Sequence, residues 1–373
     1  MKDSQSKIKI LFILGSLGYG GTETQIFNYL LNIDYEKYEP VLIIMSKNKY
    51  QYKMEKKLID KGVLLIDLST KNNAIFKLLN LTRVITKIKP DLLYSAHFYT
   101  NVYAGVAGQL FNIPSIGSIR SDYYNDVAQI NSLHRILSLK LVTIIIANSN
   151  AGMKNLKTEY SDARVRLINN FINSDVFYFK SKEKSQNIKI ITVGRLTNEK
   201  RIDRFINIIK KIKDHVGDST KIVGLVCGSG RESENLKSKL SNQIKNIGLN
   251  NDELILLGDV DNISDFYRTS DLFLFTSEYE GSPNCVWEAM ACGLPVITTN
   301  VGNISEIISH KKNGFIVDTF NEKDFIKYSI MLLNDDSLKV QIRNNAISTI
   351  KNNFSLSRYN KEIDKLFYEL IND

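Results

Sequence analysis

Two glutamates, Glu280 and Glu288, stand eight positions apart in the stretch EYEGSPNCVWEAMACGLPVITT, residues 278–299. Two carboxylates can act as an acid/base pair that flanks one glycosidic bond, provided that a substrate groove lies between them. They can also hold different parts of one ligand, or be two unrelated solvated side chains. The residues around Glu288, WEAMACGLPV, are apolar, and an unpaired buried carboxylate is costly. This disfavours the solvated alternative.

The residues between the two glutamates predict a loop followed by the start of a helix. Pro283 suits an early helical position, and either Ser282 or Asn284 can cap the helix. A glycine-containing loop before a helix presents backbone N–H groups to a ligand. Glu280 would then lie in the loop and Glu288 just over one turn into the helix. One bound molecule could therefore contact both at different points.

Two cations, Arg195 and Lys200, occur in VGRLTNEKRID, residues 193–203, directly after a predicted strand. In open α/β sheets the carboxyl ends of the strands border the binding crevice. A guanidinium and an ammonium group at such an end suit a diphosphate, the first by bidentate contact and the second as a point charge. The alternative is that these cations only decorate the start of a helix, where the helix dipole disfavours positive charge.

A glycine-rich segment, LGSLGYGGTE, covers residues 14–23 and follows the first predicted strand. Gly20 and Gly21 permit close backbone approach of an anion or ligand at a helix N-terminus. The segment is not a G-x-G-x-x-G fingerprint, and no acidic residue stands where a dinucleotide site would need one to hold a ribose. This argues against an NAD-dependent oxidoreductase. A tight strand-to-helix turn is the alternative interpretation.

Short apolar runs alternate with helical segments along the whole chain, beginning with IKILFIL at 8–14. Continuous apolar runs are typical of strands buried on both faces of a parallel sheet, so the alternation predicts a doubly wound α/β architecture. The pattern restarts after a polar, lysine-rich connector at 179–187. We therefore expect two Rossmann-like domains, residues 1–178 and 188–355. An amphipathic helix at 356–373 is expected to pack back toward the first domain.

The composition, with 43% hydrophobic and 24% charged residues, is that of a soluble globular protein. The three cysteines show no metal-ligand spacing, and an odd number cannot all pair within one chain, which favours a reducing compartment. The apolar runs fall short of the roughly 20 residues of a membrane-spanning helix. The N-terminal run lacks a convincing signal-peptide cleavage site. These features predict a cytoplasmic protein.

Positive charge is concentrated in the first half of the chain. Residues 1–173 contain 22 Lys and Arg against 13 Asp and Glu, whereas the remaining 200 residues contain 27 of each kind. A basic face of this kind could meet the anionic inner surface of the plasma membrane or an anionic acceptor. The alternative is a solvated, lysine-rich helix. No nucleic-acid-binding motif accompanies the charge, so nucleic acid is not expected as a partner.

The second half of the chain resembles the retaining glycosyltransferases of family 4, or glycosyl transferases group 1, which have the GT-B fold. The segments GRLTNEKRID, EYEGSPNCVWEAMACGLPVITTNVG and SEIISHKKNGFIV occur in the order and at the separations of that family. Glu280 and Glu288 match its E-x7-E motif. The looser resemblance of the first half rests on the glycine loop, YSAHFYTNVYAG with His97, IANSNAGMKNL and VRLINNFINSDVF. It implies two Rossmann-like domains that face a central cleft.

The resemblance implies a role for each matched residue of the second half. Glu280 would hold hydroxyl groups of the donor sugar, and Glu288 would accept hydrogen bonds from the ribose hydroxyls. Arg195 and Lys200 would neutralise the diphosphate and stabilise the charge that develops on it. Donor binding would also involve the residues that follow Glu280, namely Ser282, Pro283 and Asn284.

In the first half, the resemblance implies that Gly20 and Gly21 close on the donor from the opposite domain. It places His97 beside the donor sugar, near the reacting centre. A lone histidine after a buried strand can also serve only to satisfy the local backbone, and that alternative stays open.

The resemblance predicts transfer of a hexose-type sugar from a UDP-sugar to a glycan or lipid-linked acceptor in cell-surface polysaccharide or glycolipid synthesis. It implies front-face attack, with the leaving phosphate helping to take the acceptor's proton, and it implies no metal or other cofactor. The DVD at 259–261 has the form of a metal-binding DxD motif, but its position predicts a loop. The alternatives are an epimerase or phosphorylase on the same scaffold, or a non-catalytic sugar-nucleotide-binding protein.

Three residues depart from the family pattern. Ser282 replaces the more usual aromatic residue of EGFP and would lie beside the sugar, where it could alter the donor preference. Asn303 stands where a second glycine is frequent, and Asn170 also stands in place of a frequent glycine. Asparagine tolerates the left-handed conformation that glycine adopts.

Overall fold

The computed structural model of the chain describes residues 7–18, 20–47, 51–69, 73–120, 124, 127, 130–182, 187–217, 220–230 and 236–372. The chain divides into two compact units. The first comprises Met1–Phe171 together with Ser357–Asp373, and the second comprises Ile172–Leu356.

The apolar runs of the first unit form strands β1 (Ile8–Leu14), β2 (Tyr38–Ile44), β3 (Leu64–Asp67), β4 (Leu92–Ser95), β5 (Ser115–Ile119), β6 (Ile144–Ala147) and β7 (Val165–Leu167). In the described part of this unit they make one parallel sheet in the order β3-β2-β1-β4-β5-β6-β7. The interior strand β1 is deeply buried, because its residues from Ile10 to Leu14 have no exposed surface. Burial on both faces explains the continuous apolar run.

The helices that connect these strands are α1 (Gly21–Asn32), α2 (Gln51–Asp60), α3 (Ala74–Ile88), α4 (Asn101–Phe111), α5 (Ser132–Lys140) and α6 (Asn150–Glu159). Asn73 caps α3, because its side chain accepts hydrogen bonds from the N–H groups of Ile75 and Phe76. Asn131 and Ser149 cap α5 and α6 in the same way.

The second unit repeats this plan with strands β8 (Asn187–Val193), β9 (Lys221–Cys227), β10 (Leu254–Gly258), β11 (Leu272–Phe275), β12 (Val296–Thr299) and β13 (Phe315–Val317). Among its described residues the sheet is parallel, in the order β10-β9-β8-β11-β12-β13. The predicted doubly wound α/β architecture is therefore confirmed in both units.

The helices of the second unit are α7 (Ile202–Val216), α8 (Leu236–Asn246), α9 (Ile263–Thr269), α10 (Asn284–Ala291), α11 (Ile304–Ile307), α12 (Glu322–Asn334) and α13 (Asp336–Asn353). Helix α7 buries an isoleucine-rich face that includes Ile206 and Ile209 against the sheet. On another side of the unit, Trp287 of α10 stacks on Phe354 at the end of α13, with ring centroids 5.2 Å apart.

The last helix, α14 (Leu356–Asn372), packs within the first unit. Tyr38 donates a hydrogen bond of 3.0 Å to Asp364, and its ring packs edge-on against Phe367. Tyr359 packs against Phe171 with ring centroids 4.9 Å apart. These contacts bury the apolar face of the amphipathic helix α14 against the first unit.

Residues 172–178, which the sequence assigned to the first domain, lie in the second unit. The N–H of Ile172 donates a hydrogen bond of 2.8 Å to the carbonyl of Phe354. The ring of Phe177 packs near that of Tyr267, with centroids 6.2 Å apart. Residues 172–178 form no regular helix or strand, so the sequence pattern that predicts such elements does not show where this segment packs.

In both sheets the strand order reverses beside the first strand of the unit. Strand β1 lies between β2 and β4, and β8 lies between β9 and β11. The helices that follow such neighbouring strands lie on opposite faces, so their loops border a crevice at the carboxyl edge of the sheet. VGRLTNEKRID and EYEGSPN follow β8 and β11, respectively, whereas the glycine loop and His97 follow β1 and β4.

A glycine fixes the shape of the loop after β11. Gly302 has a φ of +58°, and a Cβ atom there would lie 2.3 Å from the carbonyl oxygen of Gly281. That same oxygen accepts a hydrogen bond of 3.0 Å from the N–H of Asn303. The loop with Glu280 is thus packed directly against the loop after β12, and only a residue without a side chain fits between them.

Replacement of Gly302 by alanine should lower the melting temperature more than the same change at Gly248. Gly248 also has a positive φ, +77°, but a Cβ there would meet nothing within 4 Å. Backbone strain of about 1 kcal/mol should lower the melting temperature of the Gly248→Ala variant by about 2–4 °C. Gly302→Ala adds a steric clash with backbone. Equal decreases in thermal unfolding would show that this packing does not constrain the loop.

Candidate donor-binding site

Lys200 and Glu280 form an ion pair at the carboxyl edge of the second sheet. Lys200 ends a 3₁₀ turn, Asn198–Lys200, that follows β8, and its Nζ contacts Oε1 of Glu280. The hydroxyl of Ser277 donates a hydrogen bond of 2.9 Å to the same oxygen. The two charged side chains are only 15% and 13% exposed. Because each charge is largely shielded from water, each depends on the other for its stabilisation.

Backbone hydrogen bonds hold the two loops together beneath this ion pair. The carbonyl of Glu199 accepts a bond of 2.8 Å from the N–H of Glu278. The same carbonyl lies 3.2 Å from the hydroxyl of Ser277, which has one hydrogen to share between it and Glu280. Thr276 donates to the carbonyl of Arg201 at 3.0 Å. The spacing between Lys200 and Glu280 is therefore set by the main chain as well as by their mutual attraction.

Arg195 lies on the same loop as Lys200 but is more accessible to solvent. Its side chain is 57% exposed, and its Nη2 lies 3.8 Å from Oε1 of Glu199. Partial burial acts to raise the pKa of Glu199. The nearby Thr197 hydroxyl and the charges of Arg195 and Lys200 outweigh this effect and lower the pKa overall. In the described structure Arg195 thus pairs with Glu199, while Lys200 pairs with Glu280.

Glu288 lies in the second turn of α10, in an apolar environment. Burial raises the pKa of its carboxyl group to about 7, and a hydrogen bond of 3.2 Å from the Tyr267 hydroxyl partly opposes that shift. The neighbouring thiol of Cys285 has a pKa raised by burial, lowered by the charge of Lys200 and raised by the charges of Glu280 and Glu288. One cation and both predicted carboxylates are therefore close enough to the same thiol for their charges to act on it.

The start of α10 differs from the prediction. The helix begins at Asn284 with Pro283 as its N-cap, and no side chain caps it. The prediction that Ser282 or Asn284 acts as the cap is therefore wrong. The oxygen of Ser282 instead accepts hydrogen bonds of 3.2 Å from the indole N–H of Trp287 and from Nδ2 of Asn303. These two donors occupy the hydroxyl that would otherwise cap the helix.

The interaction between Ser282 and Asn303 joins two of the departures from the family pattern. Asn303 is completely buried, and its side chain can reach Ser282 because this serine is small and has an acceptor oxygen. An aromatic residue at 282 would offer no such acceptor. The serine at 282 thus provides a hydrogen-bond acceptor for the buried amide of Asn303.

In the first unit, His97 contacts both the glycine loop and α1. Its Nδ1 accepts a hydrogen bond of 3.2 Å from the N–H of Gly15, and its Nε2 lies 3.6 Å from Oε1 of Glu23. The ring of Tyr99 packs 5.1 Å from that of His97. One nitrogen thus satisfies the local backbone, as the alternative interpretation holds. The other nitrogen carries the proton and points toward a carboxylate.

Gly20 and Gly21 lie at the N-terminus of α1, where Gly20 is the N-cap residue. A Cβ atom at Gly20 would lie 2.2 Å from Oε2 of Glu23, so a larger residue would displace that carboxylate. Burial and the charge of Glu23 raise the pKa of Tyr99 to about 12. Gly20, Glu23, His97 and Tyr99 therefore form one polar cluster in the first unit.

Sequence reasoning missed three residues of these clusters: Ser277, Tyr267 and Glu23. Ser277 and Glu23 stand inside or beside quoted motifs, and an acidic residue in the first turn of a helix is a recognisable signal. Tyr267 lies on α9, 21 residues before Glu288, and no spacing rule connects them.

Asp259 of the DVD lies, as predicted, in a loop, and it accepts a hydrogen bond of 2.5 Å from Ser229.

Among the described residues, no group of three or more His, Cys, Asp and Glu side chains is arranged to hold a metal ion. No helix in the described ranges is both long and apolar enough to cross a membrane.

Comparison with known families agrees with the geometry of both units. The family model described as glycosyl transferases group 1 matches residues 173–349, and the model described as glycosyltransferase family 4 matches residues 19–176. Together they span most of the chain. The chain belongs to glycosyltransferase family 4. This glycosyltransferase carries the ion pair and Glu288 within the first match, and Gly20, Gly21 and His97 within the second.

Relatives of this glycosyltransferase include an uncharacterized glycosyltransferase of Haemophilus influenzae. The two are 26% identical over 349 residues, which are 90% of this chain and 93% of the relative. The UDP-Gal:alpha-D-GlcNAc-diphosphoundecaprenol alpha-1,3-galactosyltransferase of Escherichia coli is 24% identical over 79% of each chain. The crystal structure of Anabaena HepE in complex with UDP and glucose has a TM-score of 0.83, at 18% identity over 97% of this chain and 100% of HepE. This likeness shows the GT-B fold.

Replacement of Glu288 by glutamine should change how stability depends on pH. The carboxyl group titrates at about 7 in the folded protein against an ordinary value of 4.5, so the folded state retains a proton that the unfolded chain releases. The wild-type free energy of unfolding should therefore fall as pH rises from about 4.5 to 7, by at most about 3 kcal/mol. Glutamine does not titrate. The melting temperature of Glu288→Gln relative to wild type should increase between pH 5 and pH 8.

A second variant tests the cause of this pH dependence. The Tyr267 hydroxyl stabilises the ionised carboxylate, so Tyr267→Phe should extend the fall in stability to higher pH. Parallel melting-temperature profiles of wild type and Glu288→Gln would contradict the assignment of a raised pKa to Glu288.

Proposed function

We propose that this glycosyltransferase moves a hexose-type sugar from a UDP-sugar to a glycan or lipid-linked acceptor with retention of anomeric configuration. The observation that carries the proposal is the partly buried Lys200–Glu280 pair beside Glu288, at the point where the strand order of the second sheet reverses. The named substrates of the Escherichia coli relative, UDP-Gal and a diphosphoundecaprenol-linked sugar, support this choice of donor and acceptor.

Lys200 is suited to the diphosphate of the donor. A diphosphate supplies negative charge at the Lys200 ammonium without requiring the loop to move, and an ammonium group binds phosphate as a point charge. Arg195, exposed on the same loop, adds a second cation. Fixed positive charge of this kind stabilises the negative charge that develops on a leaving diphosphate.

Glu280 is suited to the sugar, because an ionised carboxylate only accepts hydrogen bonds and sugar hydroxyls can donate them. Within the described residues its recorded bonds, from Lys200 and Ser277, both go to Oε1. This leaves Oε2 for a hydroxyl of the donor sugar. The two carboxylates are therefore ligand contacts rather than an acid/base pair, and Ser282, Pro283 and Asn284 border the same loop.

Glu288 is suited to the ribose for the same chemical reason. Tyr267 donates to Oε2 of Glu288, so that Oε1 can accept from ribose hydroxyls. Such bonds favour the ionised carboxylate. Because the free protein holds this carboxyl with a pKa of about 7, donor binding should release a proton and weaken as pH falls below 7.

The reaction would proceed on one face of the sugar. The bond from the anomeric carbon to the phosphate oxygen breaks, and a bond to the acceptor oxygen forms on the same face. The leaving phosphate takes the acceptor's proton.

For the first unit, Gly20, Gly21 and His97 remain proposed donor contacts. The excess positive charge of residues 1–173 motivates a further proposal, peripheral association with the inner face of the plasma membrane.

The donor assignment predicts different effects for the two partners of the ion pair. Lys200→Met removes the cation and should raise the Kd of UDP about 10- to 100-fold, as expected for one charge-assisted contact. Glu280→Gln should leave UDP binding at least as tight, because UDP lacks the transferred sugar that Glu280 would hold, yet weaken UDP-sugar binding and abolish transfer. Titration calorimetry against UDP and a panel of UDP-sugars, after a thermal-shift screen, measures both.

Lys213 and Glu253 provide a matched control. They form another partly buried ion pair in the second unit, but at its opposite edge, because Glu253 directly precedes β10. Lys213→Met and Glu253→Gln should reduce stability without changing the Kd of UDP. Equal effects of the two pairs on UDP binding, or unchanged transfer by Glu280→Gln, would refute the assigned roles.

Product analysis separates this function from its alternatives. With donor and acceptor, NMR of the anomeric proton should show the configuration of the donor sugar in the product, and a chelator should leave the rate unchanged. An inverted product or a chelator-sensitive rate would overturn these parts of the proposal. Rearrangement of the sugar nucleotide with donor alone would indicate an epimerase, and phosphate-dependent cleavage a phosphorylase. Binding without any turnover would indicate a sensor.

A further inference from the structure

A largely buried arginine, Arg120, directly follows strand β5 of the first sheet. Its Nη2 donates a hydrogen bond of 2.6 Å to the hydroxyl of Tyr94, and its Nη1 donates one of 3.0 Å to Oδ1 of Asn170. The hydroxyl of Tyr359, on α14, is a third neighbour. Tyr94, Asn170 and Tyr359 are each at most 4% exposed. The guanidinium is therefore held by side chains that lie inside the first unit.

All three partners of this guanidinium are neutral. An amide carries no charge, a phenol is uncharged at pH 7, and burial raises the pKa of Tyr359 further. Among the described residues Arg120 forms no ion pair, whereas Arg166 of the same sheet pairs with Glu369 at 2.7 Å. An arginine does not lose its proton in proteins. Arg120 therefore carries a positive charge without a counter-ion in the described part of the chain.

The charge of Arg120 is costly for the folded protein. Withdrawing a cation from water is offset only when a negative charge is paired with it. An uncharged side chain could make hydrogen bonds to the same oxygens, so a purely structural role does not explain the charge. The guanidinium also has donors to spare. Of its five N–H groups, the two bonds to Tyr94 and Asn170 use two, and Nε is among those that bond to no described residue.

The position of Arg120 indicates which kind of ligand it meets. Strand β5 pairs in parallel with β4, which pairs in parallel with β1. The glycine loop, His97 and Arg120 follow β1, β4 and β5, respectively. Since neighbouring strands are about 4.8 Å apart, these three features lie in a row at the carboxyl edge of the first sheet, the edge at which such folds bind ligands.

We propose that Arg120 recognises an anionic group of the acceptor. A guanidinium binds a phosphate or a carboxylate through paired hydrogen bonds. This inference deepens the proposed function and rests on it only for the identification of the ligand as the acceptor. The anion is either the diphosphate of a lipid-linked acceptor or an acidic group on a glycan, because both present the same acceptor oxygens. A neutral acceptor leaves the charge of Arg120 uncompensated and should bind more weakly.

Titration calorimetry with saturating UDP tests this role, because UDP then occupies the proposed diphosphate contacts of the second unit. Two pairs of probes distinguish the sources of the anion. The first pair is hexyl N-acetylglucosaminyl diphosphate and the neutral hexyl N-acetylglucosaminide, and the second is methyl glucuronide and the neutral methyl glucoside. Wild-type protein should bind the charged member of at least one pair about 10-fold or more tightly than its neutral counterpart. The pair that shows this difference identifies the source.

Replacement of Arg120 should weaken only the binding of the charged probe. Arg120→Met should raise its Kd about 10- to 100-fold, as expected for charge-assisted hydrogen bonds, and leave the Kd of the neutral probe unchanged. Arg120→Lys keeps the charge but not the paired donors, so its effect should be intermediate. Arg166→Met is the matched control, since the charge of Arg166 already has a carboxylate partner. It should change neither Kd.

Asn170→Asp separates ligand binding from stability. Oδ1 of Asn170 lies 3.0 Å from Nη1 of Arg120, so an aspartate at this position would supply a counter-ion within the protein. Because a buried charge becomes paired, the melting temperature should be at least that of wild type. The charged probe should nevertheless bind about 10-fold or more weakly. This variant decides the question also if Arg120→Met does not fold, since a purely structural role of Arg120 predicts undiminished binding.

Four results would overturn the proposal. They are no preference of wild type for either charged probe, unchanged binding by Arg120→Met, an equal loss in Arg166→Met, and undiminished binding by Asn170→Asp. The Kd of UDP, measured separately, should be the same in all these variants, because its proposed contacts lie in the second unit. Absence of UDP binding by wild type would refute the donor assignment instead. The effect of Arg120→Met relative to Arg166→Met would then be measured without UDP.

Discussion

The donor-side chemistry of the second unit depends on a partly buried attraction between Lys200 and Glu280. Withdrawing two opposite charges from water carries a desolvation penalty, which is offset only by close pairing and by further hydrogen bonds. Ser277 supplies such a bond to the carboxylate, and the carbonyl of Glu199 ties the two loops together below it. The cation is therefore held in place in the protein without ligand, and a phosphate group finds it already oriented.

The same constraint distinguishes the surroundings of the two glutamates. Among the described residues, Lys200 lies beside Glu280, whereas the recorded side-chain partner of Glu288 is the hydroxyl of Tyr267. Burial without a paired cation favours the protonated carboxyl, which explains why the pKa of Glu288 is raised to about 7. Two residues of one motif thus have different electrostatic environments because their neighbours differ.

The arrangement of the fold could be predicted because strands buried on both faces have continuous apolar sequences. The proximity of Lys200 and Glu280 follows from the same pattern, since parallel strands deliver their following loops to one edge of the sheet. The bond from Tyr267 to Glu288 depends on the directions of side chains from two helices, which periodicity does not specify. The N-cap of α10 could not be predicted either, because Trp287 and Asn303 compete for the Ser282 hydroxyl.

The position of α14 has a consequence for how the chain is made. The second unit is one continuous segment, Ile172–Leu356, but the first unit needs α14 to cover Tyr38 and Phe171. During synthesis, which proceeds from the N-terminus and allows domains to fold as they emerge, the first sheet appears early yet stays incomplete until α14 has been made. The second unit can therefore finish folding before the first, although its residues leave the ribosome later.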